Sequence, residues 1–278
     1  MATLLLGTQP ERPAVTTLFA FAFVITLLVF VHELGHFLAA RWYGVPVEVF
    51  SIGFGRRVWS VRRSGVIYQV CAIPFGGYVK MAGTGSPGEP TANGFDSKSR
   101  WQRFVILLAG PAMNILFALV LAIVGLWVGI EVPTDDGKMV IYQAAPVEGV
   151  LLGGRAIAGT SAEILSTIAG LVTGDISPSH LIGPVGLAQI AGESSALGWR
   201  ALLAAMAFIS LNLGLCNLLP IPILDGGHML MLLVEGVTRR TLSFGVRKAM
   251  LGAGAAVMLL LLMTTLYNDL GRLGLLTL

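Results

Sequence analysis

The sequence predicts a polytopic α-helical membrane protein, with about four transmembrane helices and a membrane-associated β-hairpin or small sheet on the cytoplasmic side. Three observations carry that prediction. Of the 278 residues, 55% are hydrophobic and only 12% charged, whereas soluble globular chains carry roughly 25% charged residues. The mean hydropathy is +0.81. Four stretches are apolar over the roughly 20 residues a helix needs to cross a bilayer: about Val15 to Ala40, Phe104 to Ile130, Ala201 to Leu224 and Ala249 to Tyr267. The formal charge of +3 does not point to nucleic acid, because the basic residues flank apolar spans, where they orient the chain.

The first span is too long for the h-region of a signal peptide and contains the polar run HELGH, so it reads as part of the mature protein. Thirteen Lys and Arg residues lie between spans one and two or between spans three and four, against five on the opposite side. The positive-inside rule then places both termini outside and both basic loops in the cytoplasm. The end of span one and the end of span three thus meet the same face.

Within the first cytoplasmic segment, Val66 to Ile73 is β-rich and Gly77 to Met81 follows after Pro74-Phe75-Gly76, which reads as a hairpin or small sheet touching the membrane surface. Gly83 to Asn93 is rich in Gly, Pro, Ser and Thr and reads as a mobile loop. On the outer side, Ile164, Leu165, Ile168, Leu171 and Val172 recur at helical spacing, which suggests a short amphipathic helix lying on the membrane. Cys71 and Cys216 read as small buried hydrophobes. The chain divides into an N-terminal half of the core (1–130), a shortened outer loop with the amphipathic helix (131–200), and a C-terminal half of the core (201–278).

His32-Glu33-Leu34-Gly35-His36 fits the H-E-x-x-H pattern. On a helix, positions i and i+4 share a face, so both imidazoles can bind one zinc ion. Glu33 is then placed to act as general base toward water, which the metal acidifies toward a pKa of roughly 7. An ionisable residue in an apolar span costs ~2.5–3.5 kcal/mol on the insertion scale, which argues against a decorative role. A catalytic zinc usually has three protein ligands. His180 falls in the outer loop and His228 lies past the end of span three, so Asp225, an acidic residue at the cytoplasmic end of that span, is the better third candidate. Pro220 and Pro222 break the helix before it. Unwound backbone at membrane depth is tolerated where it lines a cavity, and a substrate strand can find hydrogen-bonding partners there. Asn217 is favoured as a substrate contact and Asn212 as a helix-packing residue.

These residues resemble the site-2 protease family of intramembrane zinc metalloproteases, closest the regulator of sigma-E protease type. The matching runs are HELGH (32–36), SIGFG (51–55), IPFGGYVKMAG (73–83), LAGPAMN (108–114), GPVGLAQ (183–189) and NLLPIPILDGGH (217–228), in the family's order. The resemblance implies His32, His36 and Asp225 as Zn2+ ligands, Glu33 as catalytic base, and Asn217 as a substrate-backbone contact. It also implies that Gly76, Gly77 and Tyr78 belong to a membrane-associated hairpin that pairs with an extended substrate by strand addition. The implied substrates are single-span proteins in the bilayer of the bacterial inner membrane, such as anti-sigma factors or remnant signal peptides; the oligomeric state stays open. Such proteins usually carry one or two PDZ domains between spans two and three. Here only about 30 residues, Glu131 to Thr160, precede the point where the match resumes, so the expectation is a protease with weaker gating from the outer side.

Two other classes compete. A catalytically silent scaffold that binds membrane spans has no need of Glu33. A metal transporter using His32, His36 and Asp225 as transit ligands lacks polar residues through the other spans.

Overall fold

In the computed structural model, residues 14–84, 93–133 and 139–275 are described. Most of the expected loop at Gly83–Asn93 therefore lies outside the described residues. Seven helices and two antiparallel strand pairs follow in the order α1 (Ala14–Trp42), β1 (Val47–Arg63), β2 (Val66–Met81), α2 (Arg100–Val128), β3 (Ile130–Pro133), β4 (Met139–Tyr142), α3 (Pro146–Thr173), α4 (Pro184–Leu197), α5 (Trp199–Asn217), α6 (Asp225–Thr238) and α7 (Phe244–Arg272).

The four expected spans correspond to α1, α2, α5 and α7. The start of α2 is fixed by a capping box, in which the Ser99 side chain accepts from Gln102 N and the Gln102 side chain accepts from Ser99 N. Ser243 caps α7 by accepting from Val246 N at 3.4 Å. The break expected at Pro220 and Pro222 is present: α5 stops at Asn217 and a turn-rich segment leads to Asp225, the first residue of α6.

Two expectations need correction. Among the described residues, α3 as well as those four is long and apolar enough to cross a membrane. The expected short helix over Glu163–Val172 is only the second half of that 28-residue element. Its first half, rich in glycine, reads as loop from sequence, yet Gly149 and Gly153 are the buried residues on which α3 packs against Trp127 and Ile123 of α2. The second correction concerns the sheet. The β-rich stretches at Val66–Ile73 and Gly77–Met81 form one continuous strand, paired with the unexpected strand β1. Four arginines and two glycines dilute the apolar alternation of β1 and hide it. Val49 to Ile52 face both Gly77–Lys80 and Ile67–Val70, so the pair curls over on itself. Gly53 and Gly55 take φ of 82° and 85° in that curl.

Two apolar cores hold these elements. One joins Val24 and Leu28 of α1, Leu121 of α2, Ala191 of α4 and Met206, Ala207 and Ile209 of α5. The other joins Ala40, Val47, Phe50, Val66, Met81 and Ile106, and so fixes β1 and β2 against the ends of α1 and α2. The bend of β2 reaches further along α1 than a surface contact requires. Thr26 Oγ1 donates to the Pro74 carbonyl, and Phe75 packs on Phe21 with ring centroids 5.8 Å apart. At ~1.5 Å per residue those contacts lie about 9–16 Å along the helix from His32.

At the other end of the bundle, the buried Asp269 of α7 accepts from Gly183 N, Val185 N and Gly186 N at 3.0–3.1 Å. Its carboxylate thus takes the place of a capping side chain at the start of α4. Gly183 and Gly186 leave room for it, since a Cβ at either would press on the carboxylate oxygens. Replacing Asp269 by Ala strands those N–H groups, and a loss of about 3 kcal/mol is expected, measurable as a lowered Tm in detergent. Asp269→Asn should lose less.

Candidate metal centre

His32 and His36 lie one turn apart on α1 and turn toward α2. Their Nε2 atoms are 3.2 Å apart. Asp225 Oδ2 completes the cluster, 3.0 Å from His32 Nε2 and 3.4 Å from His36 Nε2. That oxygen is buried, and its polar neighbours are the two imidazole nitrogens. Two ligand atoms at ~2.0–2.1 Å from a tetrahedral metal lie about 3.4 Å from each other, so the three donors sit near the spacing that one ion requires. Among the described residues this is the one group of three or more His, Cys, Asp or Glu side chains able to hold a metal.

The supporting contacts come from α2. His36 Nδ1 donates to the Ile106 carbonyl at 2.8 Å, which leaves the Nε2 lone pair facing the cluster. The side-chain amide of Asn114 lies 3.2 Å from His32 Nδ1. Neither contact is possible unless α2 comes very close, and two glycines permit that. A Cβ at Gly110 would overlap His36 Nε2 and lie 2.9 Å from His32 Nε2, and one at Gly35 would overlap the Ala109 carbonyl. Pro111 has no N–H for the Leu107 carbonyl, and Leu107 lines the cavity.

Asp225 is delivered by the segment 218–224. Leu224 N donates to the Ile221 carbonyl at 2.8 Å, and Gly227 N and His228 N donate to the Leu224 carbonyl. A Cβ at Gly226 would overlap the Leu218 carbonyl and one at Gly227 the Ile221 carbonyl. The glycines of LDGG therefore let this loop fold back over the first turn of α6.

A cavity of about 950 Å³ opens on the cluster and is walled by Glu33, Tyr78, Val79, Asn217 and His228 among others. The Glu33 carboxylate accepts a hydrogen bond from the Val79 backbone N–H, so β2 passes beside the site. Of the residues singled out from sequence, His32, Glu33, His36, Asp225, Asn217 and Tyr78 all reach this cavity. Asn217 Nδ2 donates one of its two N–H groups to the Leu213 carbonyl at 2.8 Å. Gly77 lies against the site, since a Cβ there would be 3.7 Å from Glu33 Cγ, while Gly76 makes the bend with φ 101°. Pro220 and Pro222 shape the loop but do not line the cavity.

His228, read from sequence as too far past span three, lines the cavity after all. Counting Asp225 as the start of a new helix rather than the end of an old one would have placed it there, three positions on. Glu235 also lines it, buried to 1% exposure. It accepts from Arg247 Nη2 at 2.6 Å and Leu242 N at 3.0 Å, with Arg103 Nη2 3.8 Å away. One carboxylate thereby ties α6 to α7 and α2. Burial pushes the Glu235 carboxyl up, but the Leu242 N–H, Arg247 and Arg103 outweigh it and hold it below the usual glutamate range.

Two predictions follow from this geometry. Gly110→Ala should abolish metal retention, measured by metal analysis of purified protein, while the helical circular dichroism persists. Because Glu235 has a folded pKa below its unfolded one, its stabilisation is present above the unfolded value and lost as pH falls through the folded one. Glu235→Gln should therefore destabilise the fold at pH 7 by about 1–2 kcal/mol once the partial exposure of Arg247 is allowed for, read as a lowered Tm. The gap between variant and wild type should narrow at pH 4.

Comparison with known proteins agrees with the geometry. Residues 20–261 match the profile of Peptidase family M50. Three curated relatives share the name "Putative zinc metalloprotease". The one from Fusobacterium nucleatum is 30% identical over 293 residues, covering 76% of this chain and 86% of that protein. That from Rickettsia conorii is 29% identical over 356 residues (92% and 99%), and that from Campylobacter jejuni 29% over 338 (90% and 92%). All three alignments are longer than the 278-residue chain, so those relatives hold stretches with no counterpart here.

Proposed function

The chain belongs to peptidase family M50, and on that basis we propose that it is an intramembrane zinc endopeptidase that cuts the membrane-spanning segments of single-span proteins. The observation that carries this reading is the convergence of His32, His36 and Asp225 donors, with Glu33 in the same cavity, on helices apolar enough to lie in a bilayer. Zinc is the metal of this family. When bound, it polarises a scissile carbonyl and makes water a competent nucleophile near neutral pH.

The chain's own residues do the rest. His32, His36 and Asp225 would hold the ion, and all three line the cavity through which substrate would reach it. Glu33 takes a proton from the attacking water and passes it to the leaving amine. A transmembrane helix shields its carbonyls, so the substrate must be held extended. Tyr78 and Val79 bring β2 to the cavity wall, where an extended segment laid beside the strand comes next to Glu33 by β-addition. The oxygen of Asn217 and the main chain at Ile223, both on the cavity lining, are the contacts proposed for the opposite side of that segment.

The proposed setting is the bacterial cytoplasmic membrane, with both termini outside and the metal centre near the cytoplasmic face. Chain reach supports four crossings with α3 held to the outer side. Arg272, at the end of α7, donates to the Ser179 carbonyl at 3.0 Å. From Thr173, the last residue of α3, to Ser179 the chain can reach at most about 21 Å, short of the ~30 Å hydrocarbon thickness. The stretches that relatives hold and this chain lacks fit a missing outer domain, and substrate selection by size is correspondingly weaker.

The deciding experiment is co-expression with a panel of single-span proteins, comparing wild type with Glu33→Gln by mass spectrometry of the products. The variant should lose cleavage by at least 100-fold, the lower end of what a general base contributes, and keep its zinc. Undiminished cleavage would remove Glu33 as base. Wild-type protein that binds these spans and cuts none would make the chain a scaffold.

A further inference from the structure

We propose that Asn114 is a positioning residue that sets the tautomer of His32, and with it the protein's affinity for zinc; the inference rests on the metal-site reading above. Asn114 is fully buried, at 0% exposure, in the middle of α2. Its main-chain carbonyl accepts from Ser210 Oγ at 2.8 Å, which fixes the backbone and leaves the amide free to turn. Its Nδ2 lies 3.2 Å from His32 Nδ1, and its Oδ1 is buried with no partner. A buried, unsatisfied amide oxygen costs about 1–3 kcal/mol, so an apolar residue of the same shape would serve packing better.

The two histidines are not equivalent. The Ile106 carbonyl can only accept, so it holds the proton of His36 on Nδ1 and keeps Nε2 bare. His32 faces an amide, which can either donate or accept. Without metal, His32 Nε2 can carry its proton and donate to Asp225 Oδ2 at 3.0 Å, while Nδ1 accepts from Asn114 Nδ2. Ligation requires the opposite arrangement: the Nε2 lone pair turned to the ion and the remaining proton on Nδ1. That proton needs an acceptor. Among the described residues, Asn114 is the one side chain within hydrogen-bond distance of His32 Nδ1. A half-turn of its amide brings the orphaned Oδ1 to that place. Asn114 thus serves both states, and the idle oxygen is the acceptor for the metal-loaded one.

The test measures zinc affinity by chelator competition on the full chain in detergent, for wild type, His32→Ala, Asn114→Leu and Asn114→Asp. Loss of an orienting partner typically costs 10–100-fold in metal affinity. Asn114→Leu should weaken zinc by that factor with Tm little changed. Asn114→Asp, which offers only acceptors, should bind zinc at least as tightly as wild type. The cobalt-substituted Asn114→Asp protein should also keep the wild-type visible spectrum. Wild-type affinity in Asn114→Leu, or a loss in Asn114→Asp as large as in Asn114→Leu, overturns the inference. Should Asn114→Leu fail to fold, a tenfold or greater loss of zinc affinity in Asn114→Asp overturns the inference. If His32→Ala itself keeps wild-type affinity, the metal-site reading fails, which is a separate result.

Discussion

The metal centre depends on how closely α1 and α2 approach. Backbone meets backbone where Gly35 faces Ala109, and the two imidazoles are pressed against α2 at Gly110. That closeness gives His36 a carbonyl acceptor and His32 an amide, so both rings are oriented before any ion arrives. Glycine in a helix costs roughly 0.5–1 kcal/mol relative to alanine. Between apolar helices that cost is offset by dispersion, because small residues let the backbones touch. The same glycines leave no space for a methyl group behind the site, so the donors cannot relax away from one another.

A second constraint brings the third donor. Asp225 would be out of reach if α5 continued as helix. Pro220 and Pro222 stop it, and Gly226 and Gly227 let the resulting loop lie on the first turn of α6. The carboxylate then sits at a helix start, where the backbone dipole favours negative charge. Further along α6, Glu235 holds Arg247 of α7 and lies near Arg103 of α2. The wall of the cavity is therefore built from ionic ties on one side and from the edge of β2 on the other.

The opposite end of the molecule is organised by Asp269, which binds the amides at the start of α4 and fixes the far end of α7. The metal end and the opposite end are thus joined by α7, held by a buried carboxylate at each extremity: its own Asp269 and the Glu235 of α6.

Membrane class, the metal-binding face of HELGH and the break before Asp225 were legible in the sequence, because each rests on local chemistry: hydropathy over about 20 residues, the i, i+4 spacing, and proline's missing N–H. The pairing of Asp225 with HELGH was legible only through the charge bias of the loops. Other features had no local signal. β1 hides behind its arginines, and the first half of α3 reads as loop because the glycines that weaken its propensity are those that pack it on Trp127 and Ile123. Gly110, Asn114 and the Ile106 carbonyl serve a site that is 70 or more residues away along the chain. The sequence by itself determined which atoms can bind a metal. Only the tertiary structure decided how those atoms are oriented, because ring orientation depends on which backbone and amide lie behind each imidazole, and that is set by packing between helices.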